Sequence, residues 1–152
     1  MIRLFSVLLI ILFAFLFILA SWSRKTPNNL GLRDDRLSDC PTKDNCVCTQ
    51  ASIERYRVET IPSNDSLDVV MMDLSNLIES MSGGKVIEIN DNYVRAEFTT
   101  RIFRFVDDLE CFYDKEYGVI HLRSASRVGY FDLNTNRNRV EELRIKFLAK
   151  RK

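Results

Sequence analysis

The chain of 152 residues has one histidine, three prolines, five glycines and one tryptophan. A single imidazole excludes His-rich metal centres, and five scattered glycines leave no Gly-rich loop to cradle a phosphate. Charge of one sign is missing too: 22 Lys and Arg face 21 Asp and Glu, for a net charge of +1. That balance excludes a strongly basic nucleic-acid surface, and the length excludes two large domains. No internal repeat is present. What remains points to a location and a fold rather than to a reaction.

The most conspicuous feature is the start of the chain, where 19 of the first 23 residues are apolar. Between residues 4 and 22 only Ser6 and Ser21 are polar, and 19 helical residues rise ~28 Å, close to the hydrocarbon thickness of a bilayer. A cleaved signal peptide is the competing reading, since Met1-Ile2-Arg3 makes a basic start. Its apolar core, however, normally runs about 7–15 residues before a small-x-small site. Here the site is poor, since Ile18-Leu19-Ala20 puts a branched residue at the position three before a cut, and Trp22 suits an interfacial anchor. No Cys follows the apolar run directly, as a lipoprotein would need. Residues 1–23 are therefore expected to be a transmembrane anchor or uncleaved signal, with the bilayer as partner of residues 4–22.

Orientation is open from charge alone. Arg24, Lys25, Arg33 and Arg36 outnumber Arg3 and the terminal amine, which favours a cytoplasmic domain. Against this, Cys40, Cys46 and Cys48 crowd into nine residues, as suits an oxidising compartment. The cluster allows unbridged small residues, a disulfide between Cys40 and Cys46, or a metal set. Zinc wants paired ligands, and Cys111 and His121 are distant in sequence.

Residues 24–52 carry Pro27, Asn28, Asn29 and Gly31 without periodicity and are expected as a linker and Cys-bearing loop. The α+β globular domain is expected over 53–152. After capping candidates at 63–66, Val70, Leu74, Leu77, Ile78 and Met81 mark an amphipathic helix that Gly83 and Gly84 end as a left-handed cap. Residues 85–89, 94–99, 102–113 and 119–126 read as strands, with turns at 90–92 and 114–118. Asn134 or Asn136 caps a last helix whose Val140, Leu143, Phe147 and Leu148 share a face while Arg139, Glu142, Lys146 and Lys150 point away. The expected architecture is a four-stranded antiparallel meander with two helices packed on one face, preceded by the transmembrane helix.

With the turn centred on Glu116, Cys111 faces His121, and Asp107 and Arg123 are diagonal neighbours on one face. Asp108, Glu110 and Ser124 then share the other. One outcome is a sheet laced by ion pairs around Asp107 and Asp108. The sharper outcome is an anion site built from Arg123, Ser124, Ser126, Arg127, Asn136, Arg137 and Arg139, because Arg forks and helix N-terminal amides both favour carboxylate or phosphate. A Cys111–His121 nucleophile pair lacks an orienting third group. The basic run 149–152 suits a helix C-terminus.

The blocks Phe103-Arg104-Phe105-Val106-Asp107-Asp108, Arg123-Ser124-Ala125-Ser126-Arg127-Val128-Gly129-Tyr130-Phe131-Asp132-Leu133 and Asn136-Arg137-Asn138-Arg139-Val140-Glu141 resemble the domain-of-unknown-function 1499 family. Cys40-Pro41, Asn45-Cys46-Val47 and Gln50 look like its entry motif, and the resemblance covers residues 37–148. Cys48 and Cys111 depart from its pattern. The resemblance implies an exported or membrane-tethered domain on the periplasmic or extracellular side, with Asp132 holding an Arg beside Asp107 and Asp108 as structural ion pairs. It carries no reaction with it. The function expected is a non-catalytic envelope domain that binds a partner protein or a small anionic ligand. The alternatives are an enzyme using Asp107, Asp108 or His121 with Arg123 and Arg127, and a thiol redox role for Cys40 or Cys46. No cofactor, metal or nucleic-acid partner is implied.

Overall fold

The computed structural model describes residues 2–151; Met1, Lys152 and the side chains of Ile2 and Arg3 lie outside the described residues, and with them the basic start and the last cation of the tail. Helix α1 (Ile2–Ser23) follows from an apolar run with no Pro or Gly to break it. Its Ser21 hydroxyl is absorbed within the helix, donating to Phe17 O at 2.9 Å. Most of α1 is exposed, but Leu16, Leu19, Ala20 and Ser23 form an i, i+3, i+4, i+7 stripe that turns towards the rest of the protein.

The amphipathic pattern after Pro62 gives α2 (Leu67–Ser80), which buries Val70, Met71, Leu74 and Ile78. Its exit differs from a simple glycine cap: Met81 caps it in extended geometry, Gly83 takes φ +80° two residues later, and Gly84 already belongs to the next strand. A Cβ on Gly83 would lie 2.5 Å from Thr99 O, so the close approach of the two chains needs glycine there. Four strands then form an antiparallel meander: β3 (Gly84–Asn90), β4 (Tyr93–Thr99), β5 (Val106–Asp114) and β6 (Val119–Ser126). Strand β5 starts later than expected because residues 101–103 turn and Arg104 has φ +59°. Helix α3 (Thr135–Ala149) closes the chain.

The sheet has six strands rather than four. A three-residue strand, β1 (Cys46–Cys48), and a two-residue strand, β2 (Ile61–Pro62), both pair with the outer edge of β6, Val47 opposite Ser124 and Ile61 opposite Ile120. Segments this short carry no readable alternation, yet without them β6 would present unpaired N–H and C=O groups. The α+β class stands, and both α2 and α3 pack on one face, where Val94, Leu109, Cys111, Ile120 and Leu122 meet Val70, Leu74, Leu143 and Phe147. Each fully buried Leu, Ile or Phe there contributes about 1.5–3 kcal/mol.

The opposite face is not open. Leu37, Cys40, Cys46, Cys48, Ala51 and Tyr56 pack over Tyr93, Phe112 and Ala125 as a second core, so residues expected as linker form a cover. This is why all eight residues of β5 from Val106 to Tyr113 are buried. A disulfide between Cys40 and Cys46, whose Cα atoms are 5.7 Å apart, pins the cover to β1.

Candidate functional site

The register of β5 against β6 is one residue away from the expected one. Cys111 opposes Leu122, Phe112 opposes His121, and Asp107 opposes Ser126. The cause is the connection: residues 115–118 form a four-residue loop in which Asp114 Oδ1 accepts the N–H groups of Glu116 and Tyr117, and Gly118 turns the chain at φ +63°. A slip of one residue exchanges faces. Cys111 and His121 therefore lie on opposite sides of the sheet, as do Asp107 and Arg123, while Ser124 moves to the side of Asp107.

On the helix side, Asn136 is fully buried at the first turn of α3. Its Nδ2 donates to Asn45 O (3.0 Å), Ser126 Oγ (2.9 Å) and Asp132 Oδ2 (2.7 Å), while its Oδ1 accepts from Ser124 Oγ (2.6 Å) and Arg139 Nη1 (2.5 Å). Arg139 points inward, contrary to the helical-face expectation. Its Nη2 donates to Asp107 Oδ2 at 2.7 Å, and its guanidinium lies 4.5 Å from the centre of the Phe98 ring. The buried stripe of α3 runs 136, 139, 140, 143, 147, so its first two members are polar and a count of apolar residues misses them. Asp132 holds no arginine among the described residues. Its carboxylate accepts the backbone N–H groups of Asn134 and Asn136 at 3.0 and 2.9 Å and is the actual cap of α3, because Asn134 makes no side-chain capping bond.

On the covered side, β4, β5 and β6 carry a second polar layer. Arg127 grips Asp108 with Nε and Nη2 at 2.7 and 2.6 Å, and its Nη2 also donates to Glu97 at 2.5 Å. The hydrogen bonds to Asp108 raise its pKa and hold it charged. Its Nη1 reaches Ser23 O at 3.1 Å, joining the sheet to the end of α1. Further along, Glu110 is fully buried and accepts from Arg123 Nη1 (2.7 Å), Tyr93 Oη (2.8 Å) and Gly31 N (2.8 Å). Burial and the neighbouring Glu110 push the Tyr93 phenol upward, so it donates as a neutral hydroxyl. Arg95 lies between Glu88, Glu97 and Asp108 at 3.2, 3.7 and 3.9 Å.

The expected site residues thus fall into three groups. Ser124, Ser126, Asn136 and Arg139 meet on the helix side; Arg123 and Arg127 lie across the sheet; Arg137 is separate, donating to Arg55 O and Arg57 O at 2.7 and 3.0 Å. Asp107 and Asp108 each face one cluster. His121 sits towards the far end of β6, stacked on Phe112 with Thr49 Oγ1 3.1 Å from its Nδ1, and burial lowers its pKa. Burial pushes the Cys111 thiol up. No acid, base and nucleophile among these converge on one point.

Glu97, Tyr93 and Arg95 belong to these networks and were not among the expected site residues, and Glu110 and Asn45, placed on a face and in a motif, had no site role. Their signal was the charge alternating with Val94, Ala96 and Phe98 along β4, matched by Asp108 and Glu110 in β5. Beside the covered layer lies a pocket of about 170 Å³ where Pro27, Asn29, Pro41 and Lys43 approach Arg123 and Arg127. Arg123 Nε is buried without a hydrogen-bond partner among the described residues.

A family model described as a protein of unknown function (DUF1499) matches residues 36–147. No curated protein and no solved structure matches the chain.

Proposed function

The chain belongs to the DUF1499 family of unknown function, and we propose that it is a membrane-anchored envelope domain on the non-cytoplasmic side, working by binding rather than by catalysis. The observation that carries this is the attachment of α1 to the domain. Ser23 is fully buried, its Oγ accepts from Val106 N at 3.2 Å, and its carbonyl accepts from Arg127 at 3.1 Å. A leader removed at residue 20 would lose the buried Ala20 and the helix that positions Ser23. The Cys40–Cys46 disulfide favours an oxidising compartment. Arg123, Arg127 and Arg139 are paired with Glu110, Asp108 and Asp107 of the sheet, which favours a rigid scaffold over a reaction centre.

Intact cells carrying the full-length protein provide the test. A membrane-impermeant maleimide should label it only after reduction, and alkaline carbonate should leave it in the membrane pellet. Labelling only after lysis without reduction, or a mature protein lacking residues 1–20, would refute the proposal. A small anionic ligand is the second reading, favoured by the unpartnered Arg123 Nε beside the 170 Å³ pocket. Inorganic phosphate should then raise the Tm of the wild type but not of Arg123→Met; an equal response in both refutes it.

A further inference from the structure

Two apolar grooves lie at the end of the domain from which α1 leaves. The larger, about 390 Å³, is bounded by Leu19 of α1, Phe105, Val128, Phe131 and Leu133. The second, about 250 Å³, lies between Phe13, Leu16 and Phe17 of α1 and Ile102 and Phe103 of the β4–β5 loop. Around them the two loops present large apolar side chains to the outside, Ile102 at 82% and Leu133 at 77% exposure together with Tyr130 and Phe131. Soluble surfaces seldom gather so many in one place.

Helix length decides what surrounds them. The apolar stretch Leu4–Ser23 is 20 residues long, about 30 Å of helix and matched to the hydrocarbon core. Burial of its side chains begins at Leu16, and residues 4–15 are exposed, a length of only about 18 Å. A bilayer that ended where the domain begins would be far too thin. The loops that flank the last turns of α1 must therefore enter the same leaflet.

From this we infer that residues 100–105 and 128–133 form a lipid-facing surface immersed beside α1, and that the acyl chains of phospholipids occupy its grooves. The inference rests on the anchored reading above. The grooves are continuous with a membrane-spanning helix, and that continuity selects lipid as the occupant. The charge pattern agrees: Arg24, Lys25, Arg101 and Arg104 are exposed at this end and have no ion-pair partner among the described residues, so they suit an anionic headgroup layer. Long side chains of this kind reach the headgroups while their stems stay in the apolar zone. The loop backbone is partly closed on itself, with Thr100 N donating to Phe105 O and Phe105 N to Thr100 Oγ1, both at 2.9 Å, which lowers the cost of immersion.

Tryptophan quenching by brominated acyl chains tests this, using full-length protein in vesicles of phosphatidylcholine and phosphatidylglycerol. The native chain has a single tryptophan, Trp22. In a Trp22→Phe background, Phe103→Trp should lose most of its emission in brominated vesicles, and Leu133→Trp, on the other loop and at an exposed position, should do the same if the first variant fails to fold. Tyr117→Trp, at the opposite end of the sheet, should be unaffected. Quenching of native Trp22 without quenching at 103 and 133 would overturn the inference and leave the anchor intact. Failure to quench Trp22 would remove the anchor and the inference together. Blue-shifted but unquenched emission at 103 and 133 would mean that a second copy of the chain covers the grooves, which also overturns it.

Discussion

Removal of the Glu110 carboxylate is the sharpest probe of the covered polar layer. In the folded protein this side chain has no exposure and serves three donors: Arg123, Tyr93 and the Gly31 backbone. Glu110→Ala leaves Arg123 as a buried charge whose Nε is already without a partner. Breaking a buried pair costs about 3–5 kcal/mol. The Tyr93 phenol left without this acceptor brings the total to about 4–6 kcal/mol, while the Gly31 N–H keeps Tyr93 Oη at 3.2 Å. That is a large part of the 5–15 kcal/mol that typically holds a domain together. For a domain of this size roughly 4 °C follows each kcal/mol, so Tm should fall by roughly 15–25 °C. The assay is guanidinium unfolding of the full-length protein in detergent, disulfide intact, followed by far-UV circular dichroism. Replacing both partners, Glu110→Met with Arg123→Met, removes the stranded charge and should recover most of the loss. A loss below about 1 kcal/mol in Glu110→Ala, or a double variant no more stable than the single one, would refute the account of Glu110 as the charge partner on which Arg123 depends.

Three further outcomes follow from the same structure. Cys40→Ser with Cys46→Ser opens a short loop and should lower stability by about 2 kcal/mol; because Cys48 and Cys111 are buried and their thiols are pushed upward, the oxidised native protein should react with no thiol reagent until it is unfolded. His121 has its pKa lowered by burial, so the unfolded chain takes up the proton first: its contribution is present above about pH 6.5 and is lost as pH falls through the folded value, and His121→Gln should flatten the stability profile between about pH 7 and pH 5. Asp132→Ala should cost about 1 kcal/mol through loss of the α3 cap, with little change in salt dependence, whereas loss of an ion pair would show up as salt sensitivity.

How much of this was legible beforehand depended on the range of the interaction. The uninterrupted apolar run of α1, the spacing of Val70, Leu74 and Ile78 in α2, and the alternation in β4 are local patterns, and each element formed where its pattern lay. The Cys40–Cys46 pair was one of three open alternatives, since proximity in sequence allowed the bond without requiring it. Arg123 and Ser124 were expected on opposite faces, and the register of the sheet exchanged their company: Asp108 and Glu110 share the face of Arg123, and Asp107 that of Ser124.

Sequence by itself determined the class of the longer elements, the apolar helix and the family, because hydrophobic period, capping and turn residues act within a few positions of one another. Tertiary structure alone decided the face on which each charge lies, through a loop of four residues between β5 and β6. It also decided that Leu37, Cys40, Cys46, Cys48 and Ala51 cover a face, since β1 is too short to announce itself and gains its place only from the unpaired edge of β6. Arg127 shows the difference most plainly. Its charge is written in the chain, but its partners, Asp108, Glu97 and the Ser23 carbonyl, come together only when helix, sheet and cover are all in place.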